Sequence, residues 1–391
     1  MCQPGCSTTR SESDKKGVEK VPFVLPVISQ LTQTCEIQMG LPSSNQPFVI
    51  GSIETPVGAA PKVTSVLTWQ DKWGTIKARW GVGRMDYTVE PGLYALGNPN
   101  NESPVFVTAN YKMSFDRLRE ALSERDAWIL VLDTKGINVW CAAGKGTFGT
   151  EELVRRIRMS GLESVVVHRE LILPQLSAPG VAAHLVKKFS GFKVKYGPIR
   201  ASDLPAYLEA GLIATPKMRM KTFTLRERVA LIPIELMAAF KAAILIMLLF
   251  FLLGGLGGPA GYWAIVMNYG LFAATAILMA IISGAVLTPI LLPLLPGRPF
   301  SIKGCTVGVV AAFSLLIMRN PDLTFWPGRL EALAWLLLIP ALAAYLAMNF
   351  TGASTYTSLS GVKKEMRFAI PLEIGAGGAG VGLWLVSRFI A

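Results

Sequence analysis

The hydrophobic and polar positions of this chain follow two different patterns, which meet near residue 235. In the first part, short apolar runs at residues 103–110, 128–133 and 164–168 are separated by stretches with helical spacing. Short apolar runs indicate buried strands, and the stretches between them indicate helices packed on a sheet. This repetition predicts a doubly wound, Rossmann-like α/β domain over residues 46–205.

Individual elements of this domain are predicted as follows. The helix after residue 113 would be capped by Ser114 and would place Phe115, Leu118 and Leu122 on one face. The helix after residue 150 would be capped by Thr150. A further helix is expected over residues 181–189, and an edge strand over residues 192–196.

The second part of the chain is dominated by long apolar runs. Residues 236–391 hold 9 Lys+Arg and 4 Asp+Glu, against 29 and 22 in residues 1–235, and residues 242–297 hold no charged residue. A transmembrane helix needs about 20 apolar residues. We therefore predict an all-α transmembrane domain over residues 234–391, with five spans near 236–255, 264–290, 302–318, 330–350 and 369–389.

Basic residues concentrate beside these spans. The linker over residues 206–233 carries Lys217, Arg219, Lys221, Arg226 and Arg228. Because cytoplasmic flanks are enriched in Lys and Arg, we predict a multi-pass protein of the cytoplasmic membrane, with a cytoplasmic N-terminal domain and the C-terminus on the outer side. The net charge of +12 is then a membrane signature, and no nucleic-acid partner is expected.

Residues 1–45 are polar and without periodicity, which predicts a flexible tail. The five cysteines are odd in number and scattered, and no secretory signal is recognised, so disulfides are not expected. No C-x-x-C occurs, so no iron–sulfur cluster or zinc site is expected in this chain. Cys2 and Cys6 are read as incidental, with a flexible pair that passes on a soft metal as the alternative.

The stretch over residues 136–150 carries the chemistry. Cys141 lies among small residues between a predicted strand and a predicted helix, where open α/β sheets bind ligands. Small residues allow a bulky ligand to approach, Trp140 offers an apolar wall and Lys145 a cation. A P-loop is excluded because Val139 replaces its first glycine and Gly146 its Ser or Thr, and no G-x-G-x-x-G occurs. A buried structural cysteine remains the alternative.

The run Asn-Val-Trp-Cys-Ala-Ala-Gly-Lys at residues 138–145 resembles the signature of the corrinoid protein family of microbial mercury methylation, without departure at any of its eight positions. More distantly, it is similar to the corrinoid iron–sulfur proteins of the acetyl-CoA pathway. The resemblance implies a corrinoid-binding fold and a cap helix against the lower face of a cobamide. It implies Cys141 as the lower axial cobalt ligand and a pocket formed by Asn138, Val139, Trp140, Cys141, Ala142, Ala143, Gly144 and Lys145.

The resemblance also implies a function and partners. A methyl group would pass from a cysteine-ligated methyl-cobalt corrinoid to inorganic Hg(II), forming methylmercury. A soft, strongly donating thiolate suits that electrophilic acceptor. A ferredoxin-like protein with two [4Fe–4S] clusters would supply electrons, and one-carbon metabolism the methyl group. Two alternatives stay open, namely a membrane-bound corrinoid methyl carrier of acetyl-CoA-type metabolism and a transporter with a regulatory soluble domain.

The remaining ionisable candidates are assigned structural roles. His168 and His184 lack the D-x-H-x-x-G context of a cobalt-ligating histidine. Glu235, Lys241 and Glu373 lie in or beside the predicted spans. For Glu373 a structural pair, for instance with Lys241, or an interfacial position is favoured, and a role in a substrate pathway is the alternative.

Overall fold

The computed structural model describes residues 40–257, 261–354 and 359–390. The predicted tail over residues 1–45 falls largely outside these ranges, and Cys2, Cys6 and Cys35 lie there as well. The described chain divides into two compact units. The first comprises residues 40–78 and 83–221, and the second residues 79–82 and 222–390.

Seven strands of the first unit form one mixed sheet in the order β1-β2-β3-β5-β4-β6-β7. The strands are β1 (Val49–Thr55), β2 (Gly58–Val63), β3 (Gly92–Leu96), β4 (Val105–Ala109), β5 (Ala127–Leu132), β6 (Glu170–Leu173) and β7 (Lys193–Tyr196). Strands β5, β4, β6 and β7 run parallel, whereas β3 pairs antiparallel with β5. The β1–β2 hairpin is antiparallel and joins the sheet through a parallel β2–β3 pair.

Helices cover both faces of this sheet. The side chains of β5 therefore alternate between two hydrophobic cores, one on each face. On one face Leu130 and Leu132 pack with Leu153 and Ile157 of the helices that follow β5. On the other face Ile129 and Val131 pack with residues of the helix that follows β4. The helices of this unit are α1 (Trp69–Arg79), α2 (Lys112–Ala121), α3 (Val139–Lys145), α4 (Thr150–Met159), α5 (Leu162–Val165), α6 (Ala183–Ser190) and α7 (Leu204–Glu209).

The strand order reverses at β4. The chain passes from β4 through α2 to β5 on one side, and from β5 through α3, α4 and α5 to β6 on the other side. Such a reversal opens a crevice at the carboxyl ends of the strands. The predicted α/β layering is therefore present, although the antiparallel β1–β2 and β3–β5 pairs make the sheet mixed.

Three local predictions are wrong, and one of them is the Thr150 cap, because Gly149 occupies the N-cap position of α4. The strand expected over residues 164–168 is replaced by α5, and the strand starts only at Glu170. Leu162 and Val165 are both buried one turn apart, so this apolar run satisfies a helical turn instead of a strand. Ser114 does not cap α2, because the helix already begins at Lys112 and Ser114 lies inside its first turn.

The second unit contains the five predicted apolar helices. They are α8 (Leu225–Leu253), α9 (Tyr262–Leu291), α10 (Phe300–Arg319), α11 (Trp326–Thr351) and α12 (Ser360–Phe389), each long and apolar enough to cross a membrane. Phe250, Trp335 and Trp384 form an aromatic core between them. Helix α10 packs closely on α11, because a Cβ added to Gly304 would lie 2.5 Å from the Cβ of Ala347.

A buried charge cluster holds α1 against α2. The Lys112 ammonium contacts Asp71 at 2.5 Å and Asp116 at 2.8 Å, and the Arg119 guanidinium contacts the same two carboxylates at 2.9 and 2.8 Å. Burial by itself raises the pKa of Asp71, but hydrogen bonds from Lys112 and the Thr68 backbone, with both positive charges, lower it to about 2. Asp71 therefore stabilises the fold as a carboxylate.

We predict that Asp71→Asn destabilises the first unit by about 3 kcal/mol at pH 7, because it leaves two buried cations without one of their two counter-ions. The native pKa lies below the unfolded value of 3.8. The stabilisation is therefore complete above about pH 4 and is lost as the pH falls towards 2. Denaturant unfolding of the detergent-solubilised chain, followed by near-UV circular dichroism, measures both effects.

Glu120→Gln is the matched control, because it removes an exposed partner of Arg117 and should cost less than about 1 kcal/mol. Equal destabilisation by the two variants, or a cost of Asp71→Asn that does not change between pH 4 and pH 2, contradicts the account.

Candidate functional site

The turn between β5 and α3 is fixed by the side chain of Asn110, which follows the carboxyl end of β4. Its buried amide oxygen accepts hydrogen bonds from the Thr134 backbone N–H at 3.1 Å, the Thr134 hydroxyl at 2.8 Å and the Gly136 N–H at 3.1 Å. The Thr134 hydroxyl shares its single proton between this oxygen and the carbonyl of Ile137, which lies at 2.7 Å. One side chain thus ties the ends of two neighbouring parallel strands to the start of α3.

The same turn requires glycine at position 136. Gly136 has a φ of +68°, and an added Cβ would lie 2.7 Å from the carbonyl oxygen of Met85. Both the left-handed backbone and the close approach therefore exclude a side chain.

Two carboxylates, those of Asp133 and Glu152, also stabilise this turn. The Asp133 backbone N–H donates to Glu152 at 2.9 Å, and Glu152 also accepts from Arg156 at 2.8 Å. The Asp133 carboxylate contacts the Lys135 ammonium at 2.6 Å. Burial alone raises the pKa of Asp133, but the hydrogen bonds and charge of Lys135 outweigh this effect and hold the pKa below its usual range.

The motif residues form the short helix α3. The Asn138 side chain caps it by accepting a hydrogen bond from the Cys141 backbone N–H at 3.0 Å. Gly146 ends the helix in the left-handed conformation and donates to the Ala143 carbonyl. A helix at these positions is what the resemblance implies.

The predicted pocket residues divide between two faces of α3. Ala142 and Ala143 are buried and Val139 packs against the same core, so these three anchor the helix to the sheet. The outward face presents the residues Trp140, Cys141, Gly144 and Lys145, which are exposed except for the half-buried Cys141. The Cys141 thiol is free. Asn138 acts as the cap and fixes the position of the Cys141 backbone.

The segment after β6 closes on the buried side of α3. An added Cβ at Gly180 would lie 2.9 Å from the Cα of Ala143 and 2.3 Å from the carbonyl oxygen of Phe148. Thr150 does not cap α4, because Gly149 occupies that position. The Thr150 hydroxyl accepts instead from the Ala182 N–H at 2.8 Å and joins the start of α4 to this segment. Helix α3 therefore lies among the loops that follow β4, β5 and β6.

The outward face of α3 leaves open space beside the Cys141 thiol. Gly144 follows Trp140 by four positions and Cys141 by three, so it lies on the same helical face. An added Cβ at Gly144 would meet nothing within 4 Å, so the space beside the thiol is open. A thiolate is a soft ligand for a transition metal. Within residues 40–257, 261–354 and 359–390 no three His, Cys, Asp or Glu residues converge as a metal site, whereas an axial ligand is a single side chain.

The two histidines have other surroundings. The His168 ring is bonded to the Ser103 carbonyl at 2.9 Å and accepts from the Glu170 N–H at 3.3 Å, at the amino ends of β4 and β6. His184 is exposed on α6. His168 is therefore structural, as predicted, and lies at the sheet edge opposite to Cys141.

Asn110, Asp133 and Glu152 were not among the predicted site residues. Only the polar character of a strand end pointed to Asn110, since its partners lie 24 and 26 positions further along the chain.

Comparison with known proteins relates this part of the chain to one family. The family model of the CO dehydrogenase/acetyl-CoA synthase delta subunit matches residues 80–208, which include α3 and five of the seven strands, β3 to β7. The acetyl-CoA decarbonylase/synthase complex subunit gamma of Methanopyrus kandleri is 36% identical over 126 residues, which is 31% of this chain and 26% of that protein. The subunit gamma of Archaeoglobus fulgidus is 31% identical over 128 residues, 32% of this chain and 27% of that protein.

The chain thus matches about a quarter of the length of these relatives. The matched segment is related to subunits of the CO dehydrogenase/acetyl-CoA synthase complexes. Their names agree with the alternative of acetyl-CoA-type one-carbon metabolism better than with mercury methylation.

We predict that Gly136→Ala destabilises the first unit by about 2 kcal/mol or more, because it adds both backbone strain and a clash with Met85. Gly144→Ala is the matched control. It lies in a helix with open space around it and should stabilise by about 0.5–1 kcal/mol. Denaturant unfolding measures both, and a neutral Gly136→Ala contradicts the role assigned to this turn.

Proposed function

We propose that this protein is a membrane-bound, cobamide-dependent methyltransferase in which Cys141 ligates cobalt and inorganic Hg(II) accepts the methyl group. The observation that carries the proposal is the outward face of α3, where a free, half-buried thiol lies beside an open position at the carboxyl edge of the sheet. The relation of the same segment to subunits of acetyl-CoA decarbonylase/synthase complexes supports corrinoid-linked one-carbon chemistry.

Each residue of α3 has a distinct role in this proposal. The corrinoid supplies the methyl group when bound, and its cobalt is the atom that the Cys141 thiolate ligates. Trp140 forms an apolar wall, Gly144 leaves room for the macrocycle, and Lys145 places a positive charge at the rim of the pocket. Asn138 fixes the Cys141 backbone, and through it the direction of the thiol. Ala142 and Ala143 anchor the helix to the core.

Hg(II) as acceptor rests on the donor character of sulfur and on the complete eight-residue motif. A thiolate is softer and more strongly donating than an imidazole, which favours delivery of the methyl group to an electrophile. Reduction of cobalt between turnovers requires electrons from outside this chain, for which we propose a ferredoxin-like protein with two [4Fe–4S] clusters. One-carbon metabolism is the proposed source of methyl groups.

The names of the relatives favour a second candidate, a corrinoid methyl carrier of acetyl-CoA-type metabolism. It uses the same site with a nucleophilic acceptor. The two candidates therefore differ in the acceptor and agree on Cys141.

The following experiment tests the proposal. The detergent-solubilised chain, loaded with methylated cobamide, is offered HgCl2 or, separately, a small thiol as a nucleophilic acceptor. We expect methylmercury as the main product. Cys141→Ala should lower its rate by at least about 100-fold, since even outer partners of a metal ligand contribute 10–100-fold.

Glu120→Gln is the control, because Glu120 is an exposed residue of α2 that belongs neither to α3 nor to its supporting turn. Methyl transfer to the thiol but not to Hg(II) establishes the carrier instead. Full methylmercury formation by Cys141→Ala overturns the assignment of the ligand.

We also predict that Gly144→Leu weakens cobamide binding by about tenfold or more while leaving the fold intact, because leucine favours helices and would fill the open space beside Cys141. Lys187→Leu, at an exposed position of α6, is the matched control. Equilibrium titration followed by the corrinoid absorption spectrum measures both affinities, and equal affinities contradict the proposed face.

A further inference from the structure

The helical unit contains a large cavity between α10, α11 and α12. It has a volume of about 1010 Å³. Its walls are mainly apolar and include Ile302, Val309, Leu336 and Leu372, whereas Arg298 and Lys364 contribute cations. All of its lining residues belong to the second unit, so this cavity is separate from the Cys141 site.

Two reactive side chains from different helices line this cavity. Cys305 of α10 is a free thiol, and Glu373 of α12 is a carboxylate. Both carboxylate oxygens of Glu373 are buried and have no hydrogen-bond partner among the residues that the structure describes, so the structural pair envisaged with Lys241 is not formed.

The other carboxylates of this unit that are buried or line the cavity have partners. Glu365, which also lines the cavity, accepts from the Ser301 N–H at 2.7 Å. Glu331 is paired with Arg388 at 3.4 Å. A buried carboxylate without a partner is costly in an apolar environment, and within a membrane such a residue indicates a functional site.

We propose that this cavity binds a thiophilic dication through Cys305 and Glu373, and that under the proposed function this cation is the Hg(II) substrate. The inference deepens that function by naming a second substrate site. One thiolate and one carboxylate carry two negative charges, so a bound dication neutralises the charge of its two ligands. Such neutralisation is favourable where the surrounding walls are mainly apolar.

The binding step is a ligand exchange without change of oxidation state. HgCl2 enters as a neutral molecule. Its two Hg–Cl bonds break, one Hg–S bond forms to Cys305 and one Hg–O bond forms to the Glu373 carboxylate. Two chloride ions leave, together with the proton of the Cys305 thiol. Neither an oxidant nor a reductant is required.

The two mercury species that the proposed reaction involves differ in charge. CH3Hg⁺ carries one positive charge, and the Cys305 thiolate alone neutralises it. Glu373 should therefore strengthen the binding of Hg(II) but contribute little to that of CH3Hg⁺. This difference distinguishes a site for the substrate from a site for the product.

The test uses the full chain in detergent with Cys2, Cys6, Cys35 and Cys141 replaced by Ser, so that Cys305 is the single thiol. The protein is loaded with HgCl2 or CH3HgCl. The measurement is the concentration of 2-mercaptoethanol that removes half of the bound mercury. The matched control moves the thiol along α10 by combining Cys305→Ser with Ser314→Cys, because Ser314 is exposed and does not line the cavity.

We expect Hg(II) to be held against about tenfold or more competitor by Cys305 than by the relocated thiol. Glu373→Gln should abolish this advantage for Hg(II) and leave CH3Hg⁺ retention unchanged. Equal retention by the two thiol positions overturns the site. Equal loss of both mercury species in Glu373→Gln overturns the role of Glu373 as a ligand.

Because Cys141 is absent from these variants, the outcome is independent of cobalt ligation. Failure here leaves the proposed function intact. Loss of methyl transfer in Cys141→Ala in turn leaves the proposed mercury binding by Cys305 and Glu373 unaffected.

Discussion

The position of the Cys141 thiol depends on the hydrogen bonds that the Asn110 side chain accepts. Thr134 and Gly136 lie beyond the end of β5, Asn110 lies beyond the end of β4, and the amide oxygen joins them. Because buried hydrogen bonds to one acceptor have little freedom, the backbone enters α3 in one direction. The Asn138 cap then begins the helix, and Cys141 follows within its first turn.

The sheet explains why a single outward helical face is sufficient for a site. Strand order reverses at β4, so the segments after β4, β5 and β6 meet at one edge. Ala142 and Ala143 occupy the core side of α3, where Gly180 approaches the helix too closely to carry a side chain. The larger and reactive side chains of the motif are therefore on the open side. Because the small residues of α3 pack against the core, the thiol lies on the opposite face of the helix, where a ligand can reach it.

The sequence predicted what depends on local pattern. β5 and the five long helices follow from hydrophobic periodicity, and Phe115, Leu118 and Leu122 are buried on α2 and its C-terminal end as their spacing indicates. The valines near residue 165 were misassigned because a short apolar run fits a strand or a buried helical turn equally well. The hydrogen bond between Asn110 and Thr134 joins residues 24 positions apart, and the Lys112–Asp71 ion pair joins residues 41 positions apart. No local pattern identifies such partners, and the same is true of Cys305 and Glu373, which line one cavity from two different helices, α10 and α12.

The central claim is that sulfur from Cys141 binds cobalt. X-ray absorption at the cobalt edge of the cobamide-loaded full chain tests it most directly, because it reports the elements bonded to the metal. The account predicts one sulfur scatterer at bonding distance, present in Cys305→Ser and absent in Cys141→Ala. A cobalt shell of nitrogen and oxygen alone in the unmodified protein, or a sulfur that persists in Cys141→Ala, would contradict it.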